Sequence, residues 1–178
     1  MRGVRQAWCG IAALWLVSAC AHDVRARPEQ TAQAALDEEL YAAAVRGTLE
    51  HFGRDDKELT LYCVVVPDGV PSERILARFE NDPFLVAGPE SCKWRDGGVE
   101  PASSRLDEVS NGQRTGVRVT PARAMFLNVE RVRLKSPDRA EADTSIVYSN
   151  LGANGVTLKL ERKDGQWKVV EAEDTWIS

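Results

Sequence analysis

The chain is poor in the side chains that most catalytic centres draw on. It has only two histidines, His22 and His51. No G-x-S-x-G, H-E-x-x-H, Walker or glycine-rich phosphate pattern occurs, so nothing in the linear order pairs a nucleophile with a base or cradles a phosphate. The four cysteines, Cys9, Cys20, Cys63 and Cys92, include no C-x-x-C pair. With so few histidines this argues against a zinc or dithiol redox centre, and no metal, cofactor or catalytic residue is expected. Basic charge is also short. There are 23 Lys+Arg against 27 Asp+Glu, a formal net charge of −4, which argues against nucleic acid as a partner. Last, no apolar run reaches the roughly 20 residues that a membrane-spanning helix needs.

The longest apolar run is the one from Ala7 to Val17, and it has the layout of an export signal. Arg2 and Arg5 precede it, Ser18, Ala19, Cys20 and Ala21 follow it, and no acidic residue appears before Asp23. Val17-Ser18-Ala19-Cys20 resembles the lipobox of bacterial lipoproteins: a branched aliphatic residue, two small residues and a cysteine. The resemblance implies cleavage before Cys20 and lipidation of its sulfur. Several acyl chains hold a protein firmly where one holds it marginally. In many such lipoproteins an Asp after the cysteine favours the inner membrane. Ala21 stands there, which implies the outer membrane, facing the periplasm. Ala19-Cys20-Ala21 also fits ordinary signal cleavage, which would discard Cys20 and give a soluble periplasmic or secreted protein.

The expected organisation is a signal peptide over 1–19, a lipidated N-terminus and tether over 20–31, and one domain over 32–178. Cys9 leaves with the leader and Cys20 is lipidated or lost. In an oxidising compartment a Cys63–Cys92 disulfide is then the economical pairing. Two separate thiols, one of them reactive, are the alternative.

Within the domain, Leu36, Leu40, Tyr41, Ala44, Val45, Thr48, Leu49 and Phe52 form one continuous helical face. The spacing predicts a long helix from Ala32 to Phe52, with Gly53 as its stop. Residues 59–66, LTLYCVVV, predict a strand apolar on both faces and hence central. Ser72 suits the cap of a short helix to Phe79, with Ile75, Leu76 and Phe79 inward. Phe84-Leu85-Val86 predicts a brief extended piece. Between Arg95 and Ala122 we expect a mobile loop and then a weak hairpin turning at Asn111-Gly112.

The last third predicts strands throughout. Over Phe126–Lys135 the alternation changes phase, which a bulge near Glu130–Arg131 reconciles. In Ala140–Ser149, Ala142, Thr144, Ile146 and Tyr148 share one side, while Glu141, Asp143, Ser145 and Val147 share the other. Asn150–Gly155 is expected as a loop. Asp164-Gly165 predicts a tight turn pairing Lys163 with Gln166, Arg162 with Trp167, Glu161 with Lys168 and Leu160 with Val169. That places Leu158, Leu160, Trp167 and Val169 on one face.

The expected fold class is α+β: a long N-terminal helix on a curved antiparallel sheet with a C-terminal four-strand meander. The ending GVTLKLERKDGQWKVVEAEDTWIS resembles the terminal hairpin of small exported proteins with nuclear-transport-factor-like (SnoaL-like) or cystatin-like cone folds. Enzymes of that architecture place His, Asp, Tyr or Arg inside the cone, and the resemblance directs attention to Tyr41, Tyr62, Tyr148, His51 and Asp143. The residues themselves suggest structural roles for all five. The charged GRDDKE stretch, Gly53 to Glu58, lacks calcium-loop spacing and suggests a solvated turn.

The expected function is a lipid-anchored, non-catalytic binding module of the cell envelope. Its partners are the membrane, through the lipid, and another envelope protein. The alternative is a cone-fold isomerase or hydratase acting on a small apolar ligand. The two differ in whether the sheet and helix enclose a pocket or a packed interior.

Overall fold

The apolar stripe of the first helix decides the architecture, because it must be buried against something. In the computed structural model, which describes residues 28–53, 60–102, 121 and 123–177 (side chains from residue 35), α1 spans Pro28–Phe52. It begins at Pro28, inside the stretch expected as tether. Leu40, Ala44, Val45 and Leu49 are buried, and Thr48 with them. The Thr48 hydroxyl meets the Ala44 carbonyl at 2.8 Å and the Thr144 hydroxyl at 2.7 Å, a buried polar tie from helix to sheet. The helix stops where the Phe84 ring presses on Gly53, since a Cβ there would lie 2.4 Å from the ring.

The strands are β1 Thr60–Val65, β2 Leu85–Ala87, β3 Cys92–Arg95, β4 Gly98–Pro101, β5 Arg123–Ser136, β6 Arg139–Ser149, β7 Gly152–Lys163 and β8 Gln166–Ile177. They form one 8-stranded sheet in which β1 lies between β2 and β5, and β5–β6–β7–β8 run as a meander. A short helix, α2 (Glu73–Ala77), connects β1 to β2. The Ser72 hydroxyl caps it by accepting from the Ile75 N–H at 3.4 Å, and Ile75 and Phe79 are buried as expected.

The sheet is mixed, not purely antiparallel: β1 runs parallel to both neighbours. Burial of β1 on both faces goes with this arrangement. Parallel partners are reached only by crossovers, and crossovers carry covering elements over the sheet. On the helix face, Tyr62 and Val64 join α1, Leu127, Ile146 and Leu158 in the main core. On the outer face, Leu61 and Cys63 join Leu85, Cys92, Val99 and Ala124 in a second, smaller core. The Cys63–Cys92 disulfide lies within it, with a Cα separation of 6.1 Å.

Two loop expectations are corrected. Arg95 to Pro101 is not loop: β3 and β4 form a hairpin turning at Asp96-Gly97, whose φ values are 34° and 101°. This is the same Asp-Gly device, with left-handed backbone at both positions, that turns β7 into β8. Asn150–Gly155 is not a loop either. Asn150 and Leu151 alone make the turn, and Gly152 to Gly155 belong to β7. The glycines that suggested a loop are there because rings lie over them: a Cβ on Gly152 or Gly155 would strike Tyr148 or Trp176. The turn expected at Asn111-Gly112 and most of GRDDKE lie outside the described residues.

The phase change in β5 is a bulge at Glu130, where pairing passes from Val129–Thr144 to Arg131–Asp143. The β7–β8 register is the expected one from Lys163–Gln166 to Leu160–Val169. Beyond it, β8 slips twice, at Lys159/Leu160 and at Gly155/Val156.

Two stability outcomes follow. Replacing Cys63 and Cys92 together with alanine should lower unfolding free energy by about 3 kcal/mol, with reductant doing the same to the parent chain; urea melts with and without reductant measure both. Leu158→Ala, at a fully buried site facing α1, should cost about 2–5 kcal/mol in the same melts.

Candidate functional site

The space that a cone fold would leave for a ligand is occupied by side chains. Leu158, Leu160 and Trp167 are buried against α1, and Val169 packs at their margin. An opening lies outside that core, as a groove of about 650 Å³ between α1 and the first residues of β8. Ligand clefts of 300–1,000 Å³ are ordinary.

Small residues on one helix side make the groove. Ala42, Ala43 and Gly47 face Trp167 and Val169, and at Gly47 the Val169 methyl stands 2.3 Å from where a Cβ would be. Any larger residue there would wedge α1 away from β8. The walls are charged: Glu39, Arg46 and Glu50 from α1, Arg78 from the α2 exit, and Lys168 from β8. Arg46 is held in place. Its guanidinium pairs with the buried Asp82, donates to the Arg78 carbonyl at 3.4 Å and lies 5.1 Å above the Phe79 ring. Asp82 also accepts from the Phe84 N–H at 3.3 Å, so one carboxylate shapes the turn and fixes the wall. Glu39 lies within 4.0 Å of Arg78 and 3.9 Å of Arg162. The outer edge of β8 borders the groove, since β8 pairs only with β7 among the described residues. An extended segment could therefore meet both a strand edge and a mixed-charge wall.

The residues singled out from the sequence fall in separate places. Cys20 lies outside the described residues. Cys63 and Cys92 are joined and buried. Tyr62 is core, edge-on to Phe84 at 6.0 Å. Tyr41 is half-buried at the margin of the core, and burial, with Asp37 and Asp68 nearby, raises its hydroxyl pKa. Tyr148 is 40% exposed, not on the buried side, because pairing slips between Val147 and Ser149 and turns it over Gly152. His51 bonds Asp174 at 2.7 Å, clipping the helix end to β8.

Asp143, on the side of β6 shared by Glu141, Ser145 and Val147, makes the densest polar contacts of the five. It sits in a ladder across three strands: Arg131 donates to it at 2.8 and 3.1 Å, Arg133 at 3.2 Å and the Thr157 hydroxyl at 3.0 Å. Burial pushes its carboxyl pKa up, but the Arg131 and Thr157 hydrogen bonds and the Arg133 and Arg131 charges together hold it below the usual aspartate range. No cluster of three or more His, Cys, Asp or Glu suited to a metal ion occurs among the described residues.

Comparison with family models, curated proteins and solved structures gave no match. The site therefore rests on its own geometry. Sequence reasoning missed Arg46, Asp82 and the Ala42–Gly47 notch. No local pattern marks Asp82 as the ion-pair partner of a residue 36 positions away.

The ladder gives a pH outcome. The folded pKa of Asp143 lies below its unfolded value of about 3.9. Its contribution is therefore complete above that value and lost as pH falls through the folded pKa. Asp143→Asn should reduce stability at neutral pH and flatten the loss of stability below about pH 4, as read from thermal melts across pH 2–7.

Proposed function

We propose that this chain is a lipid-anchored cell-envelope protein whose α+β domain is a non-catalytic binding module. It takes an extended segment of another envelope protein in the groove between α1 and β8. One observation carries the reading: the helix face of the sheet is filled by Leu158, Leu160, Trp167 and α1, while an open groove remains beside an edge strand. Strand addition at such an edge derives affinity from main-chain bonds and selectivity from the side chains around it, here Glu39, Arg46, Glu50 and Lys168. The filled interior weighs against the isomerase or hydratase alternative, which needs polar groups converging on a cavity.

The anchor is supported by the Val17–Cys20 lipobox resemblance and by the Ala21 that follows it, which favours the outer membrane, facing the periplasm. Ordinary cleavage, giving a soluble periplasmic or secreted form, is the alternative address. No helix among the described residues is long and apolar enough to cross a membrane.

Intact mass of the protein from the membrane fraction should give an acylated chain starting at Cys20; an unacylated chain starting at His22 ends the anchor. A photo-crosslinking residue at Glu50 or Lys168 should yield one discrete envelope adduct that the same residue at Arg139 does not. Equal labelling from all three positions, or none, would sink the groove reading.

A further inference from the structure

We propose that the outer face of the sheet, between Trp94 and Trp176, binds an uncharged glycan chain. The two indoles are 51% and 43% exposed, yet both are seated. Trp94 rests on the Phe126 ring, 5.8 Å between centroids. Trp176 lies over Gly155, where a Cβ would stand 2.3 Å from its Nε1 and 2.5 Å from its Cε2. Glycine is needed there so that the ring can settle on the sheet.

The pairing puts both rings on the same face. Asn128 pairs with Ser145, Ser145 with Gly155, and Gly155 with Trp176, forming one row across four strands. Phe126 is two residues before Asn128 on the same side of β5. Thr144, bonded to Thr48 of α1, marks the opposite, helix face. From strand spacing and rise, the backbone positions under the two rings are about 12 Å apart. That is the span of a short oligosaccharide.

Between the rings the floor is polar and ordered. The buried Ser145 hydroxyl donates to Glu130 at 2.9 Å and accepts from the Asn128 amide at 3.2 Å. Amide and carboxylate groups carry further donor and acceptor positions beyond these bonds. A sugar ring matches this pairing: its C–H face stacks on an aromatic ring, while its hydroxyls bond to planar polar groups beside it. Charge selects the neutral class. Arg131 pairs with Asp143, Arg133 with Glu141 and Lys159 with Glu171, so among the described residues the face presents no block of one sign to a polyanion or polycation. The face is separate from the α1–β8 groove, and the inference does not depend on that groove.

The test is titration of the full-length protein in detergent with tetramers of N-acetylglucosamine and of glucose, with a sulfated glycan alongside, by calorimetry and by NMR of indole N–H resonances. Saturable binding of a neutral tetramer is expected, with the Trp94 and Trp176 resonances shifting and that of buried Trp167 still. Trp94→Ala and Trp176→Ala should each weaken binding about tenfold or more, while Leu151→Ala should leave it unchanged. The NMR readout on the parent chain decides the matter even if a variant fails to fold. Failure of both neutral tetramers at millimolar concentration, binding of the sulfated glycan alone, shifts confined to other residues, or affinity unchanged in folded tryptophan variants would overturn the proposal.

Discussion

Burial of β1 on both faces is the constraint from which the remaining architecture follows. Leu61, Tyr62, Cys63 and Val64 are nearly inaccessible, so each side of the strand needs its own cover. α1 supplies one, and the β3–β4 hairpin, stapled by Cys63–Cys92, supplies the other. The strand's parallel neighbours are reached by crossovers: the β1–β2 connection carries α2, and its Ile75 and Phe79 join the α1 core, while the chain from β2 to β5 carries the hairpin. The disulfide is thus less an added staple than the fastening of a small second core, which gains from both apolar burial and a restricted unfolded chain.

The two covers are unequal in reach, and that difference sets where ligands can go. α1 runs along the meander and packs on the helix face as far as Trp167, with a notch made by Ala42, Ala43 and Gly47 open beside β8 and a smaller opening between Leu36, Tyr41 and Leu134. Among the described residues, the β3–β4 hairpin covers the outer face over β1, β2 and the start of β5. The remaining outer face is a ladder of ion pairs centred on Asp143 and bordered by Trp176. Exposed pairs of this kind add little stability. Their larger consequence is a charge-balanced surface. The two slips in β8 lie beyond Val169, so they interrupt the row of backbone groups only past the stretch from Gln166 to Val169 that borders the groove.

Much of the fold was legible because local chemistry and global position agreed. The α1 stripe, the doubly apolar β1, the Ser72 cap, the Glu130 bulge and the Asp164-Gly165 register each needed only neighbours within a few residues. Failures came where a residue's reason lay elsewhere in the molecule. Gly152 and Gly155 looked like loop glycines, yet they sit in a strand because Tyr148 and Trp176 cover them. Asp96-Gly97 carried a turn signal as clear as that of Asp164-Gly165 but was masked by the polar stretch around it. The parallel order of β1, β2 and β5 left no trace in periodicity, since a doubly buried strand has the same pattern whichever way its neighbours run.

The candidate site was far less legible. Nothing local marks Arg46 as the partner of Asp82, or Gly47 as the seat of Val169, because these are meetings of segments far apart in the chain. The sequence by itself determined the elements, the meander register, the cysteines available for pairing and the expectation of a lipid address at Cys20, all matters of composition and short-range order. Only the tertiary structure decided that Leu158, Leu160 and Trp167 pack under α1, that a groove opens between α1 and β8, and that Trp94 and Trp176 share one face across an ordered polar floor. Those outcomes depend on crossovers and strand pairing, which place residues together through backbone geometry and not through their spacing along the chain.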